Sequence, residues 1–233
     1  MSMTEEWNKI QIENSSKIIC DDNFKEEPKY VCGVYASFPK YSSDGVACAT
    51  VFDIDTQTVV YKTTMECHSD VEYLTGYLGF REVPIFKQLL EKIKLEKPEY
   101  YPHVVMGLGF GVLHDRGYGS LSQLGYEMNI PTIGISETLL RIDGFDGRTT
   151  RDNFKDKCKD DGDYILLTGN SGRVLGCALK SSEDSDKPLF VSVGHMISLN
   201  TAIKITLNTC LFRTPEPIRQ SEMQARLMIK QNQ

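Results

Sequence analysis

The chain has little of what marks a secreted, metal-clustered or membrane-embedded protein. Four histidines, His68, His103, His114 and His195, stand apart without ligand spacing, and seven cysteines form no Cys-x-x-Cys pair. A zinc site is therefore not expected, and an odd set of thiols, several inside apolar runs, reads as reduced core cysteines. No stretch approaches the roughly 20 apolar residues that cross a bilayer, and Met1 to Asp22 is polar and acidic with no signal-peptide core. The expectation is a soluble intracellular protein, cytoplasmic or nuclear, in which Asn14-Ser15-Ser16 matches a glycosylation sequon by chance. Positive charge is also short: 26 Lys and Arg face 32 Asp and Glu, a net of −6, with a pI near 5.3. That balance argues against gripping nucleic acid through bulk charge. With 18 Gly and 9 Pro in 233 residues, neither a collagenous nor a low-complexity chain fits.

What is there reads as one packed α/β domain with ragged ends. Residues 1–28 carry seven acids and three lysines without sustained periodicity, which predicts a flexible acidic tail with at most a short turn around Trp7. Tyr30 to Phe38, Gly45 to Asp53 and Thr58 to Met65 are β-branched or apolar runs at short spacing, the pattern of an antiparallel meander. Val83 to Leu95 then puts Ile85, Phe86, Leu89, Leu90 and Ile93 at helical spacing, with Pro84 near the start, where a missing N–H costs little. His103 to Phe110, a helix face of Leu121, Leu124 and Met128, and Pro131 to Ile135 predict strand, helix, strand, hence a right-handed crossover and a parallel pair. Asp143 to Asp163 is an exposed connection with room for a helix. Tyr164 to Leu167, Arg173 to Leu179 and Leu189 to Val193 follow as strands, and Ser198 caps a helix with Leu199, Ile203, Leu207 and Cys210 on its apolar face. Pro215 and Pro217 are expected to end regular structure, leaving 221–233 as a tail or short helix around a main domain of 29–220.

Two glycine clusters invite phosphate-loop readings and fail them. Gly107-Leu-Gly109-Phe-Gly111 follows a strand, but the dinucleotide fingerprint would need glycine at Val112 or at His114. Gly169 to Arg173 lacks the Lys-Ser/Thr ending of a P-loop. Both fit better as places where a backbone or a flat ligand approaches closely.

Several stretches taken together resemble the endonuclease V family. YVCGVYASF at Tyr30 to Phe38 is similar to its first strand, which reads approximately G-V-D-V-S-F, and YLTGYLGFRE at Tyr73 to Glu82 to Y-V-P-G-F-L-x-F-R-E. LGFGVLHDRGYG at Leu108 to Gly119 resembles D-G-N-G-x-L-H-x-R-G-F-G, PTIGISETLL at Pro131 to Leu140 resembles P-x-x-G-V-A-K-x-L-L, and VGHMISLNTA at Val193 to Ala202 resembles V-G-H-R-x-S-L-x-x-A. With Gly172 to Leu179 and FRTPEPIRQ at Phe212 to Gln220, the likeness runs in order from Lys29 to Gln220. It implies an RNase H-like fold: a mixed sheet flanked by helices in a single domain. It also implies cleavage of nucleic acid near inosine, mostly single-stranded RNA in animals, with Mg²⁺ held by acidic side chains.

The acids are mostly missing. The first-strand Asp falls at Tyr35, the Asp of D-G-N-G at Leu108 and the acid at the start of the last helix at Asn200, while the Glu of F-R-E survives as Glu82. Mg²⁺ prefers hard oxygen donors, leucine has none, and a phenol with a pKa near about 10 is a poor ligand at neutral pH. The family lysine that neutralises the reacting phosphate falls at Glu137, which opposes developing negative charge. Loss of hydrolysis and of the metal is the expectation, so no cofactor is expected, with His114 as a candidate catalytic remnant, phosphate contact or satisfied core histidine. His195 carries a similar ambiguity, structural or remnant. Removing repelling acids should also stabilise the fold.

The resemblance leaves the binding elements in place. The base-flanking wedge falls at Tyr73, and the pocket for a flipped base at Gly76, Leu78, Gly109, Gly111, His114 and Gly119, glycines that equally serve turns and close packing. Residues 197–233 hold five bases, Arg213 and Arg219 among them, against two acids, a patch able to line a substrate channel. Three readings follow: a pseudoenzyme that binds RNA or single-stranded, inosine-containing nucleic acid or serves as a protein scaffold; an endoribonuclease with a site rebuilt from Glu82, Asp115 and Glu137; and a protein-binding module with no nucleic-acid role.

Overall fold

A computed structural model describes residues 2–231. Eight strands form one mixed sheet: β1 (Tyr30–Ser37), β2 (Asp44–Asp53), β3 (Thr58–His68), β4 (Val104–Leu108), β5 (Thr132–Ser136), β6 (Tyr164–Thr168), β7 (Val174–Leu179) and β8 (Leu189–His195). Their order is β3-β2-β1-β4-β5-β8-β7-β6. The meander of β1 to β3 is antiparallel, β1, β4 and β5 run parallel, and β8, β7 and β6 add antiparallel strands. Among the described residues no helix is long and apolar enough to cross a membrane.

Helices cover both faces, which is why the central strands are apolar throughout and do not alternate. Helix α2 (Leu78–Glu96) lays Val83, Phe86, Leu89, Leu90 and Ile93 on one face beside α3 (Ser120–Met128). On the other face α5 (Leu199–Asn208) and α6 (Glu216–Gln231) bury Ala202, Ile203, Ile205 and Ile218 against β1, β4, β5 and β8. There Ser221 Oγ donates to the Gly33 carbonyl at 2.9 Å. A third cluster packs α4 (Gly147–Lys157) through Phe154 against β6 and β7. The described cysteines are all free.

Three expectations need correction. The first 28 residues do not read as a plain tail: they hold α1 (Met3–Ser15), closed by a capping box in which Ser2 and Glu5 satisfy each other's backbone N–H. Trp7 anchors it, stacked on Phe80 at 4.6 Å and 8°, and Gln11 is 2% exposed. Helix α2 begins five residues before Val83, so Pro84 sits inside it. Pro84 is exposed there, and the Trp7–Phe80 stack holds the added first turn. Pro217 opens α6 where it was expected to end structure, because a first-turn proline gives up an N–H that would go unbonded anyway. The 220/221 boundary thus falls inside α6, and residues 232 and 233 of that expected segment lie outside the described residues.

Candidate nucleic-acid interface

Two concavities meet at one tyrosine. The first, a pocket of about 300 Å³, opens at the carboxyl ends of the parallel strands β4 and β5. One wall is the loop bearing Tyr73 and Gly76 with Leu78 at the start of α2; the other is Gly109, His114, Gly119 and Ser120, with Leu108 and Glu137 completing it. Tyr73 is 67% exposed at the rim. Gly76 adopts φ +84, which a side chain would strain, and its carbonyl accepts from His114 Nε2 at 3.0 Å, Gln11 Nε2 at 2.9 Å and Arg116 Nη2 at 3.2 Å. His114 Nδ1 accepts from the Arg116 N–H at 3.2 Å, so both ring nitrogens are occupied by backbone and the ring is neutral. Burial pulls its pKa below the usual histidine value. Gly111 lies apart from these linings: it sits behind the pocket, where a Cβ would run into the Val193 carbonyl of β8. The Ser120 hydroxyl is buried against Gly109 with no hydrogen-bond partner among the described residues.

The second concavity, about 840 Å³, lies on the other side of Tyr73, and its lining includes Tyr35, Phe38, Tyr41, Arg81 and Glu82, with Asp70 and Glu72 on the loop before Tyr73. Glu82 makes no ion pair among the described residues, and burial pushes its carboxyl up to about 8, against a smaller opposing pull from Arg81. Tyr35 does not plug the crevice. Its hydroxyl accepts from Arg226 Nη2 at 3.3 Å, and its ring packs toward α6 beside Val46, Cys48 and Ala225. Leu108 lines the other pocket, and Asn200 is exposed in the first turn of α5. Glu137 is paired with Arg213 Nη1 at 3.4 Å and accepts from Thr214 Oγ1 at 3.3 Å. Arg213 also donates to the carbonyls of Lys187 and Pro188. Arg219 forks onto Glu216 at 2.7 Å and lies over the Phe212 ring. The two candidate arginines are thus tied to the protein itself.

Mg²⁺ does not fit these residues. Tyr35, Leu108 and Asn200 offer a phenol, an alkyl group and an amide instead of hard anionic oxygens and share no one cavity, and among the described residues no three His, Cys, Asp or Glu side chains gather closely enough to hold an ion. Glu82, Asp115 and Glu137 are not brought together: Glu82 lines one concavity, Glu137 the other, and Asp115 is exposed on its loop. His195 is structural in its contacts, buried with Nδ1 accepting from the Ile19 N–H at 3.2 Å. Arg116 falls at the arginine of the L-H-x-R-G motif without being singled out by it, and Gln11 lies outside every motif. The Ser2-x-x-Glu5 capping pattern is the signal that marks the helix carrying Gln11.

Comparison with known proteins places this arrangement. A family model described as Endonuclease V matches residues 12–223. The chain is 37% identical over 234 residues to Endonuclease V of Mus musculus, covering 96% of this chain and 69% of that protein. It is 34% identical to Endonuclease V of Homo sapiens, covering 97% and 83%. The crystal structure of Ciona intestinalis Endonuclease V in complex with a 24mer DNA containing an inosine followed by a ribo-adenosine superposes with a TM-score of 0.94 at 33% identity, covering 99% of each chain.

Proposed function

The chain belongs to the endonuclease V family, and on that premise we propose that it binds single-stranded RNA, or other single-stranded nucleic acid carrying inosine, without cutting it. The supporting observation is the contrast across Tyr73: a pocket large enough for a base on one side, and on the other a crevice where Glu82 stands beside Tyr35 and no three acidic side chains gather among the described residues. A base in the pocket would be flanked by the Tyr73 ring, a stacking contact that needs no metal. The inosine-containing strand bound by the similar Ciona protein supports a base of that kind. No cofactor takes part in this reading, and hydrolysis lacks both its metal ligands and a cation at Glu137.

The test is binding of labelled single-stranded RNA, with and without one inosine, in EDTA and across a salt series, beside a cleavage assay in Mg²⁺ and Mn²⁺. Expected are inosine-dependent binding that EDTA leaves intact, affinity that falls with salt, and no cleavage. Robust cleavage abolished by Glu82→Ala would overturn the pseudoenzyme and restore the reading of a rebuilt enzyme. A second reading, a protein-binding module, is favoured by the groove along α6. There the exposed Met223 and Leu227 lie among Lys62, Arg226 and Lys230. Absence of RNA binding at low salt would select it.

A further inference from the structure

We propose that Gln11, on α1, fixes the distance between the two walls of the base pocket and so sets which bases the pocket admits. This rests on the reading of that pocket as a base site. The two walls come from chain segments far apart in sequence. His114 Nε2 bridges them directly on the Gly76 carbonyl at 3.0 Å, and Gln11 adds a clasp that reaches a carbonyl on each wall. Its amide nitrogen donates to the Gly76 carbonyl on one wall at 2.9 Å and to the Tyr118 carbonyl, next to Gly119, on the other at 3.2 Å. Its amide oxygen accepts from Arg116 Nε at 2.6 Å. Both N–H groups and the oxygen are in use, and the side chain is 2% exposed. An amide is required here, since a carboxylate would present an acceptor to two carbonyl oxygens.

The rest of the tie is rigid. Arg116 closes a third route between the walls, donating to Gln11 and to Gly76 and lying over the Tyr77 ring at 4.7 Å. Helix α1 is held at its other end by the Trp7–Phe80 stack and by Asn8, whose side-chain oxygen accepts from the Tyr77 hydroxyl at 2.8 Å. Tyr77 and Gly76 belong to the loop that carries Tyr73. A shift of Gln11 therefore moves the pocket wall and the stacking ring together. Pre-ordering both before a base arrives lowers the cost of binding. Gln11 touches no base in this arrangement and acts as a positioning residue.

The experiment compares wild type, Gln11→Met, which keeps side-chain length without hydrogen bonds, and Gln11→Glu, which keeps shape but faces both carbonyls with oxygen. Trp7, the single tryptophan, reports by its emission that α1 stays docked. Hydrogen exchange is read at residues 73–77 and 114–118, and affinity is read for single-stranded RNA with inosine and with adenosine at one position. Expected are faster exchange in both segments and an inosine-to-adenosine preference reduced about tenfold, more in Gln11→Glu than in Gln11→Met. Unchanged exchange, or faster exchange with the preference intact, would overturn the proposal. Should wild type bind no RNA, the base-site reading falls and the exchange measurement alone decides whether Gln11 ties the walls.

Discussion

The two concavities flanking Tyr73 are built from different materials. The smaller pocket is held together through main chain, with the Gly76 carbonyl at the centre, accepting from His114, Gln11 and Arg116. The crevice beside it is defined by side chains, Tyr35, Phe38, Tyr41, Arg81 and Glu82. A site made of backbone keeps its shape when a facing residue changes. A metal site made of carboxylates depends on each of them, and of the acid positions the family resemblance singles out only Tyr35 and Glu82 line this crevice, with Leu108 in the pocket and Asn200 exposed on α5.

The contrast can be broken from either side. The largest effect is expected at the boundary: Tyr73→Ala removes the exposed stacking ring and should weaken inosine-RNA binding by about 1–3 kcal/mol. Its melting temperature should stay at the wild-type value, measured by fluorescence anisotropy and calorimetry on one preparation. Unaltered affinity would mean that the pocket and its rim are not used for bases. On the crevice side, Glu82 supplies a pH test. Its carboxyl holds a proton in the folded state up to about 8, whereas the unfolded chain releases it near 4.5. The folded state therefore binds more protons between those values, and stability falls as pH rises through that window. Glu82→Gln should stabilise by about 1–2 kcal/mol above pH 8, discounting for partial exposure, and by little at pH 4. A gain that does not grow with pH would show that the carboxyl is already solvated or paired. The smallest effect belongs to Glu137→Gln. Its pair with Arg213 is half exposed and should be worth at most about 1 kcal/mol. The variant removes the carboxylate opposing Arg213, which its bonds to Lys187 and Pro188 keep in place, and should raise RNA affinity slightly at low salt only.

The sheet was legible because each of its strands is an apolar run bounded by turn residues, from Tyr30 to Val193. The pairing of β5 with β8 was not, because those strands meet across an intervening helix and hairpin that no local pattern specifies. Helix α1 was hidden for a related reason. It has Trp7 and Gln11 as its buried residues, so it shows almost no apolar stripe and its docking depends on rings and carbonyls elsewhere. At the site, motif resemblance located Tyr73, Gly76, Leu78, Gly109, His114 and Gly119 around one pocket. It could not reveal that Gly111 faces β8, nor that Arg213 and Arg219 are held by Glu137 and Glu216. Those facts are partnerships between distant residues, which spacing does not encode.

The stitching of the amino-terminal segment bears on the order in which the fold closes during synthesis. Trp7 waits for Phe80, Gln11 for Tyr118, Ile19 for His195, and Asp22 for the Ser198 N–H, which it accepts at 2.7 Å from 176 positions later. A 13-residue helix without those partners is marginal in water. The segment can therefore complete its contacts only once α5 has been made, while its sole tryptophan, whose ring partners are Tyr77 and Phe80, reports the earlier step of docking on α2.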